Sequence, residues 1–222
     1  ARAEQGGETE EVNEMFQTAF PNIKEQYEAG PNGNGLPENE PEEVAAEAES
    51  LLANGYRELI LSGINLAQYW FQGMDFWDLV RFLESRLLPG WQGTARLRLS
   101  SLDPAQLGGK ALDVLAGSSM LCPHLHLSMQ SASPRILQAM GRVHYHPDRV
   151  AAFLDQLAGI WPSFALGGDF LVGFPGEKRD DMQETVDWFA AQPFTYAHVF
   201  TYSPRPETKA AQAGEQVKAE VK

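Results

Sequence analysis

Residues 169–177 read DFLVGFPGE. Phe170, Leu171 and Val172 continue an apolar run that starts at Phe164, Gly173, Pro175 and Gly176 end it, and a helical pattern begins at Arg179. The pattern predicts a buried strand, a glycine turn and a helix. In a parallel α/β fold such a turn lies at the carboxyl end of its strand, where ligands bind, and glycines let backbone amides approach a ligand. The same glycines also suit a tight βα loop that binds nothing, so the choice rests on the rest of the chain.

Upstream of this stretch, helix and strand alternate regularly. Pro41 fits the first turn of a helix that runs through Val44, Ala48, Leu51 and Leu52 and ends at Asn54 and Gly55. A strand follows at 58–64, then a helix at 75–87, a strand at 96–101, a helix at 104–116 with Asp103 as its cap, and a strand at 124–129. Ser133 and Pro134 start a short helix to Met140, and Pro147 starts another to Ile160. Beyond the central stretch come a helix at 179–191 and a strand at 196–202. Strands separated by helices make an α/β fold with a parallel sheet and right-handed crossovers. An open doubly wound sheet and part of a (βα) barrel both fit the pattern. No GxGxxG or GxxxxGK[ST] motif follows any strand, which excludes the usual dinucleotide and nucleoside-triphosphate cradles.

The amino-terminal part differs in character. Val12, Met15, Phe16, Ala19 and Phe20 have the spacing of one amphipathic helix, and GPNGNGLP at 30–37 is a turn-rich linker. The division expected is an acidic helical arm at 1–37 and a main domain at 38–222. Of the net charge of -13, residues 1–50 hold thirteen acidic and two basic side chains, which leaves the body near neutral with seventeen and fifteen. That balance gives no support to nucleic-acid binding by this chain alone. No apolar run is long enough to span a bilayer and the start has no secretory pattern, so no membrane partner and a cytoplasmic location are expected. Cys122 is the only cysteine, read as a buried thiol.

Polar residues and glycines stand just past each strand: Ser62, Gly63 and Asn65; Ser100 and Ser101; Gln130 and Ser131; Gly173 and Glu177; Tyr202, Ser203 and Arg205. A parallel sheet brings them to one face, where they suit a polar organic ligand with an aromatic ring and a sugar.

LSGINLAQY (61–69), RLRLSSLDP (96–104), HLHLSMQSAS (124–133), DFLVGFPGE (169–177) and HVFTYSPRPETKAA (198–211) closely resemble, in order and spacing, the radical S-adenosylmethionine methylthiotransferases, and most nearly their tRNA threonylcarbamoyladenosine branch. The resemblance covers residues 41–211 and implies a partial parallel (βα) barrel of the radical SAM type, related to the TIM barrel, with residues 1–37 as an extra helical segment. It implies S-adenosylmethionine as cofactor, a 4Fe-4S cluster, and tRNA as the partner that is modified. By motif, Ser62, Gly63 and Asn65 would hold the methionine end, Gln130 and Ser131 would lie near the ribose, and Gly173, Glu177, Phe200 and Tyr202 near the adenine. Arg142 would meet the carboxylate.

The family's cluster is held by a CxxxCxxC loop, which should stand shortly before Pro41. The residues there, EQYEAGPNGNGLPENEP, contain no cysteine, and the strand expected before that loop is unrecognisable. The family's separate amino-terminal domain and its carboxyl-terminal RNA-binding module are not matched either. This chain alone is therefore expected to perform no radical chemistry. Glu207 stands where the family has glycine, so a strained turn after SPRP is expected; Ala132 replaces the family's glycine after QS, and either change could reshape the cofactor pocket. Two rival readings stand beside the family. One is a non-catalytic, remodelled barrel whose acidic helix covers an open strand edge. The other is a metal-dependent hydrolase that uses His124 and His126, which share one strand face, with an aspartate such as Asp169.

Overall fold

The computed structural model describes residues 40–63 and 65–218. The helix expected at 9–20, the linker at 30–37 and the domain boundary at residue 37 lie outside them.

Helix α1 (Pro41–Ala53) begins with proline at its first turn, and the Glu40 amide donates to Glu43 Oε2 at 3.3 Å. Gly55, at φ 100, turns the chain into β1 (Glu58–Leu61). A small antiparallel hairpin, β2 (Trp70–Phe71) and β3 (Met74–Asp75), comes next. Its two-residue turn needs left-handed backbone at both positions, and Gln72 (φ 47) and Gly73 (φ 92) provide it. Asp75 then caps α2 (Phe76–Trp91) by accepting from the Asp78 amide at 3.0 Å. This helix extends past the expected end, because Pro89 falls in its last turn and removes only a terminal hydrogen bond.

Strands β4 (Arg96–Leu99) and β5 (Ser101–Leu102) are one run interrupted at Ser100. The helix expected at 104–116 is two pieces. Asp103 caps a 3-10 turn, Pro104–Gln106, through the Ala105 amide at 2.9 Å, and α3 (Gly109–Gly117) starts only after Gly108, which is extended at φ -145. Paired glycines give up the most backbone freedom on entering a helix, and the chain breaks there. The remaining elements are β6 (His124–Gln130), α4 (Pro134–Ala139), α5 (Pro147–Ile160), β7 (Ala165–Val172), α6 (Arg179–Ala191), β8 (Tyr196–Thr201) and α7 (Lys209–Gln212).

β1 pairs with β4, β4 touches the next crossover through a parallel bridge between Leu97 and Leu121, and β5, β6, β7 and β8 pair in that order, all parallel. Strand neighbours thus follow chain order. A doubly wound sheet reverses direction at a switch point; this sheet winds one way, as in an arc of a (βα) barrel. Alternate residues of each strand separate its two faces. Leu97, Leu99, Leu125, Leu127, Met129, Leu166 and Phe170 are buried in the main core with Val80, Leu83 and Leu87 of α2 and Phe153, Leu154 and Leu157 of α5. The opposite, inner face carries Glu58, Arg96, Arg98, His124, His126, Asp169, Tyr196 and His198. Among the described residues, no helix is long and apolar enough to cross a membrane.

Candidate functional site

The strand register sets the site. Leu61 pairs with Leu99, Gln130 with Phe170, and Val172 with Thr201, so Ser62, Ser100, Gln130, Gly173 and Tyr202 leave the sheet at the same end. β6 slips against β7 between Leu127 and Gln130, a bulge that re-aims the end of the strand. Gln130 sits there at φ 61, a left-handed conformation uncommon for a residue with a side chain and of the kind that collects at ligand sites.

The sequence-derived residues fall into two groups. Ser62, Gly63 and the Phe200 ring are exposed, and Gln130 and Tyr202 are half-buried. The Phe174 and Tyr202 rings meet edge to face at 5.4 Å. The others are engaged within the protein. Asn65 accepts from the Ala67 amide at 3.1 Å and caps a 3-10 turn. Arg142 reaches Asp103 Oδ2 and the Ser128 carbonyl, both at 3.4 Å. The Gly173 amide, at φ 75, donates to Glu177 Oε2. Burial pushes the Glu177 carboxyl above its ordinary range, against the pull of the Gly173 amide.

Ser131 is buried and lies within 3.1 Å of Thr185 Oγ1 and of the Ser133 amide. It belongs to a polar staple the sequence reading missed. Asp181 of α6 accepts from Ser133 Oγ at 3.1 Å, Arg135 Nε at 2.9 Å and the Lys178 amide at 2.8 Å, and Arg135 also donates to the Gly176 carbonyl at 2.7 Å. One carboxylate thereby ties the turn after β6 to the turn after β7. The Arg135 guanidinium holds Asp181 down to about 2. The only local sequence signal was Asp181 in the first turn of a helix.

On the inner face, Glu58 pairs with Arg98 at 2.6 Å and Arg96 at 2.5 Å, and Arg98, followed by Arg96, holds its carboxyl down to about 2. The alternating arginines are thus carboxylate partners. With Cys122 and His124 they border a cavity of about 420 Å³ at the amino-terminal end of the strands. Burial raises the Cys122 thiol. His124 and His126 both meet the Tyr196 hydroxyl, through Nε2 and Nδ1 respectively, but only His126 also reaches Asp169. His124 Nε2 lies 3.0 Å from the Tyr196 hydroxyl, whereas His126 Nε2 lies 2.9 Å from Asp169 Oδ1, which is also 3.2 Å from His198 Nδ1. Glu207, as expected, holds a strained left-handed backbone at φ 68.

The sequence pattern of the Radical SAM superfamily matches residues 19–189. The chain belongs to the radical SAM superfamily. Threonylcarbamoyladenosine tRNA methylthiotransferase MtaB of Bacillus subtilis is 34% identical over 84% of this chain and 41% of its own length. A tRNA-2-methylthio-N(6)-dimethylallyladenosine synthase of Corynebacterium diphtheriae is 36% identical over 82% of this chain and 36% of its own length. This radical SAM chain therefore spans about two fifths of those relatives, and the two branches match it to a similar degree. Among solved structures, the radical SAM methyltransferase TsrM of Kitasatospora setae superposes with a TM-score of 0.60 over 72% of this chain and 30% of its own, at 19% identity. The radical SAM enzyme coproporphyrinogen III oxidase of Escherichia coli gives 0.55 over 88% and 44%, at 17% identity. These likenesses agree with the partial barrel.

The family implies S-adenosylmethionine and an iron-sulfur cluster. Such a cluster needs several thiolates, and Cys122 lies beside the amino-terminal end of β6, roughly 20 Å of strand from Gln130. The cysteine content of this sequence does not fit the cluster.

Proposed function

We propose that this chain is the cofactor-binding core of a tRNA methylthiotransferase of the threonylcarbamoyladenosine type, and that it holds S-adenosylmethionine at the carboxyl ends of its strands. The observation that carries this reading is the exposed Phe200 ring, two residues before Tyr202, together with the Phe174–Tyr202 pair, at the same strand ends as the left-handed Gly173 turn and the strained Gln130. An aromatic wall over a close-approaching backbone suits a flat base. Ser62 and Gly63 are exposed and Gln130 half-buried at this end, available to the polar parts of the ligand, while Asn65, Ser131, Arg142 and Glu177 shape the loops through their internal hydrogen bonds.

No radical step is assigned to the chain, since its sequence contains no three-thiolate set. Methylthiolation of tRNA adenosines, the chemistry of its relatives, would require a cluster that the single cysteine does not fit, and the acidic balance of the 222 residues lends no support to RNA contacts. This supports a second reading, a barrel that binds without catalysing.

Calorimetric titration of the full chain with S-adenosylmethionine tests the proposal. Saturable binding is expected, weakened roughly 3- to 10-fold by Phe200→Ala, which removes only an exposed ring, and abolished by Gly173→Trp. Absence of binding to the unaltered chain would discard the cofactor site and leave the scaffold reading.

A further inference from the structure

We propose that His126, Asp169 and His198 form a binding site for a divalent transition-metal ion of the zinc type on the inner wall of the arc. The site adjoins the proposed cofactor site, with the His198 ring 6.4 Å from that of Phe200, but it uses other residues and does not rest on the function proposed above.

The three residues lie on adjacent parallel strands and face the same way. Asp169 pairs in register with His198 across β7 and β8, and His126 pairs with Gly167, two residues before Asp169 on the same face. Because Gly167 has no side chain, the His126 ring can reach over it to Asp169. The ligand atoms all lie within 4.8 Å of one another, with Asp169 Oδ1 2.9 Å from His126 Nε2 and 3.2 Å from His198 Nδ1. Ligands around tetrahedral zinc stand about 3.4 Å apart, given metal–ligand bonds near 2.0–2.1 Å. Lengthening these two Asp169 edges by a few tenths of an ångström would reach that spacing. Two imidazoles and a carboxylate make a donor set suited to zinc, with a fourth position left for water or a ligand.

The surroundings fit as well. His126 is buried, and its other nitrogen, Nδ1, is 3.0 Å from the Tyr196 hydroxyl. A hydrogen bond from Nδ1–H would orient the ring and leave the Nε2 lone pair for the ion, the usual outer-shell arrangement of metal-bound histidines. The backbone makes room for that tyrosine: a Cβ at Gly167 would stand 2.2 Å from Tyr196 Cζ and 2.6 Å from His126 Nδ1. Arg98, a fixed positive charge on the same wall, is paired with Glu58 and so repels a cation less.

The test uses the full chain without a polyhistidine tag, stripped with chelator. Zn2+ is titrated by calorimetry, and Co2+ by its visible absorption, which reports coordination directly. One ion per chain is expected, with a Co2+ spectrum of four-coordinate nitrogen–oxygen type. His198→Ala changes an exposed side chain; together with Asp169→Asn it should weaken binding by at least about tenfold, and Tyr196→Phe should weaken it by about tenfold through loss of the outer-shell bond. His124→Ala should leave the Co2+ spectrum unchanged. The proposal is overturned if the unaltered chain binds neither ion, or if His198→Ala and Asp169→Asn bind as tightly as it does.

Discussion

Phe170→Ala should destabilise the protein by about 3–5 kcal/mol, the usual range for emptying a buried phenylalanine site. Phe170 is 4% exposed and is the ring through which β7 meets α6. Phe189 and Phe194 meet it edge-on at 5.4 Å and 5.6 Å, and Phe189 and Phe194 stack on each other at 4.7 Å. Edge-to-face pairs add about 0.5–1.5 kcal/mol beyond buried area, so the loss exceeds that of one ring's transfer from water. The neighbouring backbone is unsuited to closing the gap, since β7 is paired on both sides with β6 and β8. Urea denaturation measures the change directly. A loss below about 1 kcal/mol would show that the cluster repacks around the gap, contrary to a rigid β7–α6 contact.

Asp181→Ala is the second large effect expected, roughly 2–3 kcal/mol at neutral pH, because hydrogen bonds to a buried carboxylate are among the stronger ones. Arg135 can turn to water and the Lys178 amide loses its cap, but Ser133 Oγ, fully buried, loses a partner it cannot replace. The pH dependence identifies the cause. The folded-state value of Asp181, about 2, lies below the ordinary 3.8, so the stability it contributes is complete above the ordinary value and disappears as pH falls through the folded one. The unaltered chain should therefore lose about 2 kcal/mol on this account between pH 5 and pH 2, and Asp181→Ala should lack that part of the acid limb. Urea midpoints at pH 7, 4 and 2.5 compare the two proteins; parallel profiles would mean that Asp181 is not the titrating group.

The main elements were legible in the sequence because local chemistry and tertiary packing agree in them. Pro41, Pro134 and Pro147 open helices where proline's fixed φ is an advantage, and the apolar run into Gly173 is a strand with a turn. The hairpin of β2 and β3 was not legible, since two-residue strands have no periodicity. The break before α3 was hidden because apolar spacing continues across the paired glycines. The helix–strand alternation fits an arc and a doubly wound sheet equally, because strand order is a tertiary property.

At the candidate site, the sequence located the strand ends but not the partners of the residues there. Ser131 meets Thr185 and His126 meets Asp169 only because strands and helices far apart in the chain are neighbours in space. The face shared by His124 and His126 was visible from their spacing. That His198, and not His124, completes the group around Asp169 depended on the register of β8. Glu207 is the opposite case, a strain foreseen because a side chain stands where the turn needs glycine.

The adjacent glycines of β7 bear on how water reaches the backbone. A Cβ at Gly167 would strike Tyr196, and one at Gly168 would stand 2.7 Å from Phe194, so an aromatic ring closes onto the bare strand from each face while β6 and β8 cover its edges. The strand with the least side chain of its own is the most completely sealed. Its amides should be among the last to exchange with deuterium, opening only when the whole domain unfolds, while those of the peripheral hairpin at Trp70–Phe71 exchange through local opening. The middle of the arc would then be its slowest-opening part, and the loops at its carboxyl end would move on a fixed base.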